Sequence, residues 1–130
     1  MNIKYILYIV FALPFISCTS KEEAKTQEFI QHAHNLNIEE IKNISTEDTR
    51  FYIKMAIESV MNLGDEESKK QLKHMASTLE CSGEDNMRKC KYLDINGNEK
   101  FFEIQLIKKY NHQGLEQFLI DIDKKYFLGE

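Results

Sequence analysis

The first half of the chain carries apolar residues at helical spacing. The segment from Ala24 to Leu36 predicts an amphipathic helix with one buried stripe. A short second helix and a longer third helix continue the pattern until Gly64, and a more polar fourth helix from Glu66 to Met75 is predicted on the surface. The apolar positions in order are Phe29, Ile30, Ala33 and Leu36, then Ile38, Ile41 and Ile44, then Phe51, Met55, Val60 and Leu63.

The third predicted helix begins after a polar segment, Ser45-Thr46-Glu47-Asp48, that resembles a capping arrangement. In such an arrangement the Ser45 hydroxyl accepts a hydrogen bond from an unpaired amide of the first turn. Asp48 favours the positive end of the helix dipole. We therefore expect Ser45 to cap this helix.

After Ser77 the repeat changes from near 3.6 residues to two, which is typical of half-buried antiparallel strands. Turn residues at Asn96-Gly97 and from Asn111 to Gly114 separate the alternating segments into hairpins. The inward positions are Phe102, Ile104 and Leu106, then Phe118, Ile120 and Ile122. Helices first and strands afterwards predict an α+β domain, with N-terminal helices packed on a curved antiparallel sheet of about four strands.

The first eighteen residues form a separate unit with a basic start, an apolar run and a cysteine. Lys4 precedes an unbroken run of twelve apolar residues, Tyr5 to Ile16. A spanning helix needs about 20 apolar residues, so this length predicts a signal peptide. Leu13-Pro14-Phe15-Ile16-Ser17-Cys18 resembles a bacterial lipobox, although Phe15 replaces the usual Leu. An ordinary secretory signal with a chance cysteine is the alternative.

The lipobox resemblance implies that residues 1–17 are removed and that Cys18 is acylated, with a diacylglyceryl group and a palmitate-type chain. Residues 18–24 would then be the lipidated N-terminus and a short tether, and residues 25–130 a single domain. Thr19 is not the Asp of inner-membrane retention, and Lys21-Glu22-Glu23 resembles a surface-export tag. The expected location is the outer membrane, with a periplasmic or surface-exposed domain.

The charge of the chain disfavours nucleic acid as a partner. The 130 residues carry 17 basic and 21 acidic side chains, and removal of Lys4 with the signal leaves 16 against 21, a formal charge of −5. A mildly acidic domain is not built to neutralise phosphates. Neither a Gly-rich phosphate loop nor a metal-ligand cysteine cluster occurs, so no cofactor or metal is predicted.

The two cysteines beyond the signal predict a disulfide. If Asp85-Asn86 form a two-residue hairpin loop, Cys81 faces Cys90 in a non-hydrogen-bonded pair. An exported compartment permits such a bond. Two free thiols are the alternative, since eight intervening residues without a nearby His support no standard zinc site.

The domain resembles small bacterial lipoproteins with a nuclear-transport-factor-like (cystatin-like) cone fold. The resemblance rests on Phe29 to Ser45, with Asn37-Ile38-Glu39-Glu40-Ile41 inside it, and on the closing segment Gln113 to Asp123. Phe118 stands there in place of the usual Trp. The fold implies a concavity between sheet and helix, and the candidate lining residues are Phe51, Phe102, Ile104 and Phe118.

Catalysis is not expected. His32 and His34 point to different sides of one helix and cannot hold one metal together. Enzymatic relatives of the cone fold, such as ketosteroid isomerase, place an Asp and Tyr donors in the pocket. Tyr52, Tyr92 and Asp121 offer those groups without a matching motif, and Asp121 with Asp123 otherwise predicts a solvent-facing acidic stripe.

Two functions without catalysis follow from these features. The first is a lipid-anchored binding module for a small apolar ligand or an envelope partner. The second is an inhibitor or immunity-type lipoprotein whose acidic surface steers a basic protein. A deep pocket would favour the small ligand, and a filled core would favour a protein partner.

Overall fold

The computed structural model describes residues 20–128, and within them it has six α-helices and a four-stranded antiparallel sheet. The helices are α1 (Lys21–His34), α2 (Ile38–Asn43), α3 (Glu47–Tyr52), α4 (Ser59–Leu63), α5 (Glu66–Ser77) and α6 (Lys125–Leu128), with a π-helical segment (Ile53–Glu58) that joins α3 to α4. The strands are β1 (Glu80–Glu84), β2 (Met87–Leu93), β3 (Glu99–Tyr110) and β4 (Glu116–Ile122). The predicted α+β class is confirmed.

Helix α1 begins earlier than its apolar pattern indicates, at Lys21 rather than Ala24. Ser20 is the N-cap, and its hydroxyl accepts a hydrogen bond from the Glu23 amide at 3.1 Å. Two glutamates in the first turn also favour the positive helix end. The predicted tether of residues 18–24 is therefore too long, since its last four residues are helical. Cys18 and Thr19 lie outside the described residues.

The apolar stripe predicted for the third helix is wrong. Thr49 and Ile53 are the buried positions, whereas Phe51 and Met55 are 58% and 59% exposed. Apolar residues occur on more than one side of this helix, and the π-helical segment also shifts the angular position of the residues that follow it. Gly64 ends the helix, as predicted.

Ser45 does not cap this helix. Thr46 is the N-cap residue, and the Ser45 hydroxyl instead donates to the Ile41 carbonyl at 2.6 Å. Ser45 is fully buried because it bridges to Ile120 of β4 as a short parallel pair. The long-range pairing takes the place of the predicted local cap.

The sheet has the strand order β1-β2-β3-β4, with every neighbouring pair antiparallel. The hairpin register is the predicted one, with Glu84 opposite Met87 and Cys81 opposite Cys90. The two Sγ atoms are 2.05 Å apart, at disulfide-bonding distance, and the two Cα atoms are 4.0 Å apart. The hairpin loop Asp85-Asn86 is confirmed.

The core lies between the helices and one face of the sheet. Ile104 and Ile120 are fully buried there, and Phe118 is 4% exposed. They pack with Phe29 and Ala33 of α1 in one cluster. The alternating residues of β3, such as Gln105, are exposed on the other face. The predicted assignment of strand faces is confirmed.

Removal of the disulfide is expected to lower the free energy of unfolding by about 2 to 3 kcal/mol in the chain-entropy model for so short a loop. The test is a urea titration of the double variant C81A/C90A and of the wild type, each with and without reductant. Reductant should lower the wild-type midpoint toward that of the double variant and leave the double variant unchanged. A wild-type midpoint indifferent to reductant would contradict a stabilising disulfide.

Candidate functional site: a groove beside an open sheet edge

The four residues predicted to line a pocket do not meet around one cavity. Ile104 and Phe118 are part of the packed core, and Phe102 packs against that core with its ring 6.0 Å from that of Tyr92. Phe51 lies outside it, on the exposed side of α3, with its ring edge-on to Tyr52. The predicted pocket is therefore filled by its own lining, because the inward side chains of β3 and β4 interdigitate with the helices.

A groove of about 590 Å³ lies elsewhere, between α1 and the β1–β2 hairpin. Leu79 and the disulfide provide apolar surface, Ile30 of α1 stands opposite them, and the exposed ring of Phe101 completes the apolar part. The other lining residues are polar: Gln27, His34, Glu80, Ser82, Lys89 and Lys91. The groove is open to solvent along the side of β1.

One polar contact closes the end of this groove. The His34 Nε2 atom is 2.8 Å from the Leu79 carbonyl oxygen, which joins the last turn of α1 to the residue before β1. The rest of the His34 side chain is exposed to solvent. Its contact sets the distance between α1 and the hairpin.

The charges near the groove are arranged in cross-strand pairs. The Lys91 Nζ atom lies 3.8 Å from both Glu80 Oε2 and Glu99 Oε1. These side chains are about half or more exposed, so the pairs contribute little to stability. Glu80 and Glu84 stand at the two ends of β1 and give this edge an acidic character.

The two outer strands of the sheet differ in how they are covered. Beside β4, the Ile120 amide donates to the Ile44 carbonyl at 2.8 Å, and the Thr46 amide donates to the Ile120 carbonyl at 2.9 Å. No further strand in residues 20–128 pairs with β1 beyond its partner β2. The segment Ile44–Thr46 blocks the β4 edge at Ile120, and the β1 edge stays open beside the groove.

An ion pair between a buried arginine and a partly exposed glutamate fixes α1 against the hairpin, and the sequence pattern does not predict it. The Arg88 Nη1 atom donates to Glu23 Oε2 at 2.7 Å and to the Gly83 carbonyl at 2.6 Å. The Arg88 side chain is only 4% exposed. Gly83 has a φ of +144°, and a Cβ there would lie 2.7 Å from the Met87 carbonyl oxygen, so only glycine suits this position. The sequence signal for the buried arginine is its spacing: Arg88 lies two residues before the inward Cys90 and therefore faces the same side of β2.

Asp121 is not part of a solvent-facing stripe. Its carboxylate accepts hydrogen bonds from the hydroxyls of Thr46 at 2.6 Å and Thr49 at 3.2 Å, and it is half-buried. The Thr49 hydroxyl also accepts from the Ile122 amide at 2.8 Å. The carboxylate ties the start of α3 to β4. Asp123 is exposed, as predicted.

The two tyrosines considered as catalytic donors make structural contacts. Tyr52 stacks on Phe127 with 5.7 Å between ring centroids, and Tyr92 packs against Phe102. Burial raises the pKa of the Tyr92 hydroxyl, and the nearby Asp94 carboxylate adds to this effect. A raised pKa keeps this phenol protonated under physiological conditions.

The described part of the chain has neither a metal-binding cluster nor a membrane-spanning helix. Residues 20–128 contain no group of three or more His, Cys, Asp or Glu side chains placed to hold a metal ion. Among the helices of the same residues, none has the length and apolar character needed to span a bilayer.

Comparison with known proteins gave no match: no protein-family model, no curated protein and no solved structure resembles the chain significantly. The likeness to cone-fold lipoproteins therefore stays a prediction. The groove, the open edge and the N-terminal segment are the features of the chain that bear on its function.

Proposed function

We propose that the protein is a lipid-anchored, non-catalytic binding module of the cell envelope, located at the outer membrane. Its β1 edge and the adjoining groove would receive an extended segment of an envelope protein. The observation that carries this proposal is the open β1 edge beside a partly apolar groove. The filled core supports a protein partner over an enclosed ligand.

The hairpin register supplies the hydrogen-bonding groups for such a segment. Cys81 and Cys90 form the close pair of an antiparallel ladder, with 4.0 Å between Cα atoms, which is typical of a non-hydrogen-bonded pair. The amide and carbonyl of Cys81 are therefore directed away from β2. The Gly83 carbonyl already accepts a hydrogen bond from Arg88, so Cys81 provides the free groups. An added strand can pair with these groups in the manner of β-strand addition.

The groove supplies specificity for the side chains of that segment. An added strand beside β1 would place every second side chain under α1, against Ile30, Leu79 and the disulfide. An apolar side chain suits this surface. Glu80 and Glu84 at the ends of β1, together with the acidic charge of the chain, favour a segment with basic flanks. A basic protein held this way would make the module an inhibitor or immunity-type lipoprotein.

A small apolar ligand is the second candidate, and the size of the groove favours it. Ligand sites commonly have volumes of roughly 300–1,000 Å³, and the groove falls in that range. A bound ligand should be released by Gln27→Trp, because Gln27 lines the groove from an exposed position on α1. Mass spectrometry of organic extracts of the purified wild type and variant would detect the difference.

The experiment for the principal proposal is photo-crosslinking in membranes with the full chain. A photo-reactive amino acid is placed at Ser82 on β1 or, as the matched control, at Gln105 on β3. Both positions are exposed on the same face of the sheet, but only Ser82 lies on the open edge. We expect one dominant protein adduct from Ser82 and none from Gln105. Equal adducts from both positions, or none from Ser82, would contradict binding at the β1 edge.

A further inference from the structure

We infer that the end of the domain formed by the first turn of α1 and the β3–β4 turn faces a lipid surface, with Tyr110 and Leu115 placed in its interface. This membrane-facing end deepens the proposed function and rests on the lipid attachment at Cys18. The anchored domain then has one orientation, in which the strands point toward the membrane and one end of the sheet contacts it.

The first step is the short distance between the anchor and the fold. Ser20 caps α1, whose first residue is Lys21. Only Thr19 separates Cys18 from Ser20. The two residue steps from Cys18 to Ser20 span at most about 7 Å. The first turn of α1 therefore stays close to the acylated residue.

The second step identifies the end of the sheet that lies beside this turn. The bonds from Arg88 to Glu23 and to the Gly83 carbonyl place the start of α1 where β1 turns into β2. Ile104 of β3 pairs with Arg88 at this level, and β3 continues for six more residues to Tyr110. Six strand residues extend about 20 Å. The β3–β4 turn thus projects from the same end of the sheet.

The third step is the chemistry of the projecting turn. Tyr110 is 68% exposed and Leu115 is 59% exposed. Asn111 holds the turn in shape, because its amide donates to the Leu115 carbonyl and its side chain accepts from the Leu115 amide, both at 2.9 Å. Packing within the domain does not explain why this rigid turn exposes a tyrosine and a leucine. Tyrosine is enriched at membrane interfaces, where its ring and hydroxyl meet different surroundings.

The charges beside the turn agree with a lipid surface. Lys109 is exposed, and Lys108 is about half exposed and lies 3.7 Å from Glu116. Lysines next to interfacial residues attract anionic headgroups. Glu116 offsets part of the Lys108 charge, and Glu22 and Glu23 lie at the start of α1, so the attraction to headgroups is confined to the tip of the β3–β4 turn.

The absence of tryptophan from the chain gives a direct test. The full chain, processed and lipidated in cells, is prepared as L115W and, for the control, as I95W. Ile95 is also exposed in a loop, but its loop joins β2 to β3 at the opposite end of the strands. Each variant is reconstituted in phosphatidylethanolamine–phosphatidylglycerol vesicles with or without brominated acyl chains, and tryptophan emission is recorded after flotation.

We expect both variants to float with the vesicles, and brominated lipid to quench L115W while leaving I95W unquenched. L115W emission should also shift to shorter wavelength on vesicle binding. Flotation without quenching of L115W, or equal quenching of both, would overturn the membrane-facing end and leave the anchor intact. Failure of both variants to float would overturn the anchor and, with it, this orientation.

Discussion

Replacement of Ile104 by aspartate is expected to unfold the domain. Ile104 is fully buried in the centre of the sheet, where it pairs with Arg88 on one side and Ile122 on the other. Loss of a buried isoleucine costs about 2 to 5 kcal/mol, and an unpaired buried carboxylate adds several more. Such a loss is comparable to the whole stability of a small domain, about 5 to 15 kcal/mol. Circular dichroism and a urea titration would show the loss of the cooperative transition.

The matched control is Gln105→Asp, one residue along the same strand. Gln105 is exposed on the outer face opposite Asp121, so this change should cost at most about 1 kcal/mol from the facing carboxylates. The two substitutions introduce the same group on opposite faces. Equal urea midpoints for the two variants would mean that the faces of β3 are assigned the wrong way round.

Replacement of Glu23 by glutamine is expected to lower the free energy of unfolding by about 2 kcal/mol, because the buried Arg88 guanidinium loses its paired carboxylate. The Glu23 side chain is 40% exposed, so water offsets part of the loss. Arg88 is 4% exposed, and in the described part of the chain its Nε has no hydrogen-bond partner. The glutamine amide oxygen and the Gly83 carbonyl still offer acceptors to the guanidinium, but neither carries a charge. Glutamine keeps the size of the side chain, so the loss reports on charge.

Glu22→Gln is the control for this prediction. Glu22 is the preceding residue in the same helical turn and shares the favourable helix-end position. Both variants lose one negative charge near the start of α1, which accounts for a few tenths of a kcal/mol. Urea titrations measure the difference. Equal losses of unfolding free energy in the two variants would mean that the Glu23–Arg88 pair contributes no stability beyond the charge at the helix start.

The strand half of the chain was the more predictable half. When apolar residues alternate with polar ones along a strand, the apolar set must lie on one of the two sheet faces. The loop Asp85-Asn86 between the cysteines determines the register of the β1–β2 hairpin. The pairing of Cys81 with Cys90 and the burial of Ile104 follow directly. Local sequence decides these features because each depends on neighbours within one hairpin.

The helical half and the candidate site depend on contacts between distant residues. Helical spacing predicts Phe51 and Met55 inward, but Thr49 and Ile53 are the buried positions. The Thr49 hydroxyl accepts from the Ile122 amide of β4. Ser45 pairs with Ile120, 75 residues later in the chain, instead of capping the helix as predicted. The groove likewise forms only when α1 docks on the hairpin through Arg88. Local periodicity does not encode such docking.

The covering of β4 by the segment Ile44–Thr46 limits how copies of this domain can associate through their sheets. A chain that grows by edge-to-edge pairing needs two open edges on every unit, one to receive and one to offer. Within residues 20–128 the β1 edge is open along its length, whereas the β4 edge is blocked around Ile120 and has no continuous run of free groups. The blocked position at Ile120 disfavours growth by continuous edge-to-edge pairing of these domains.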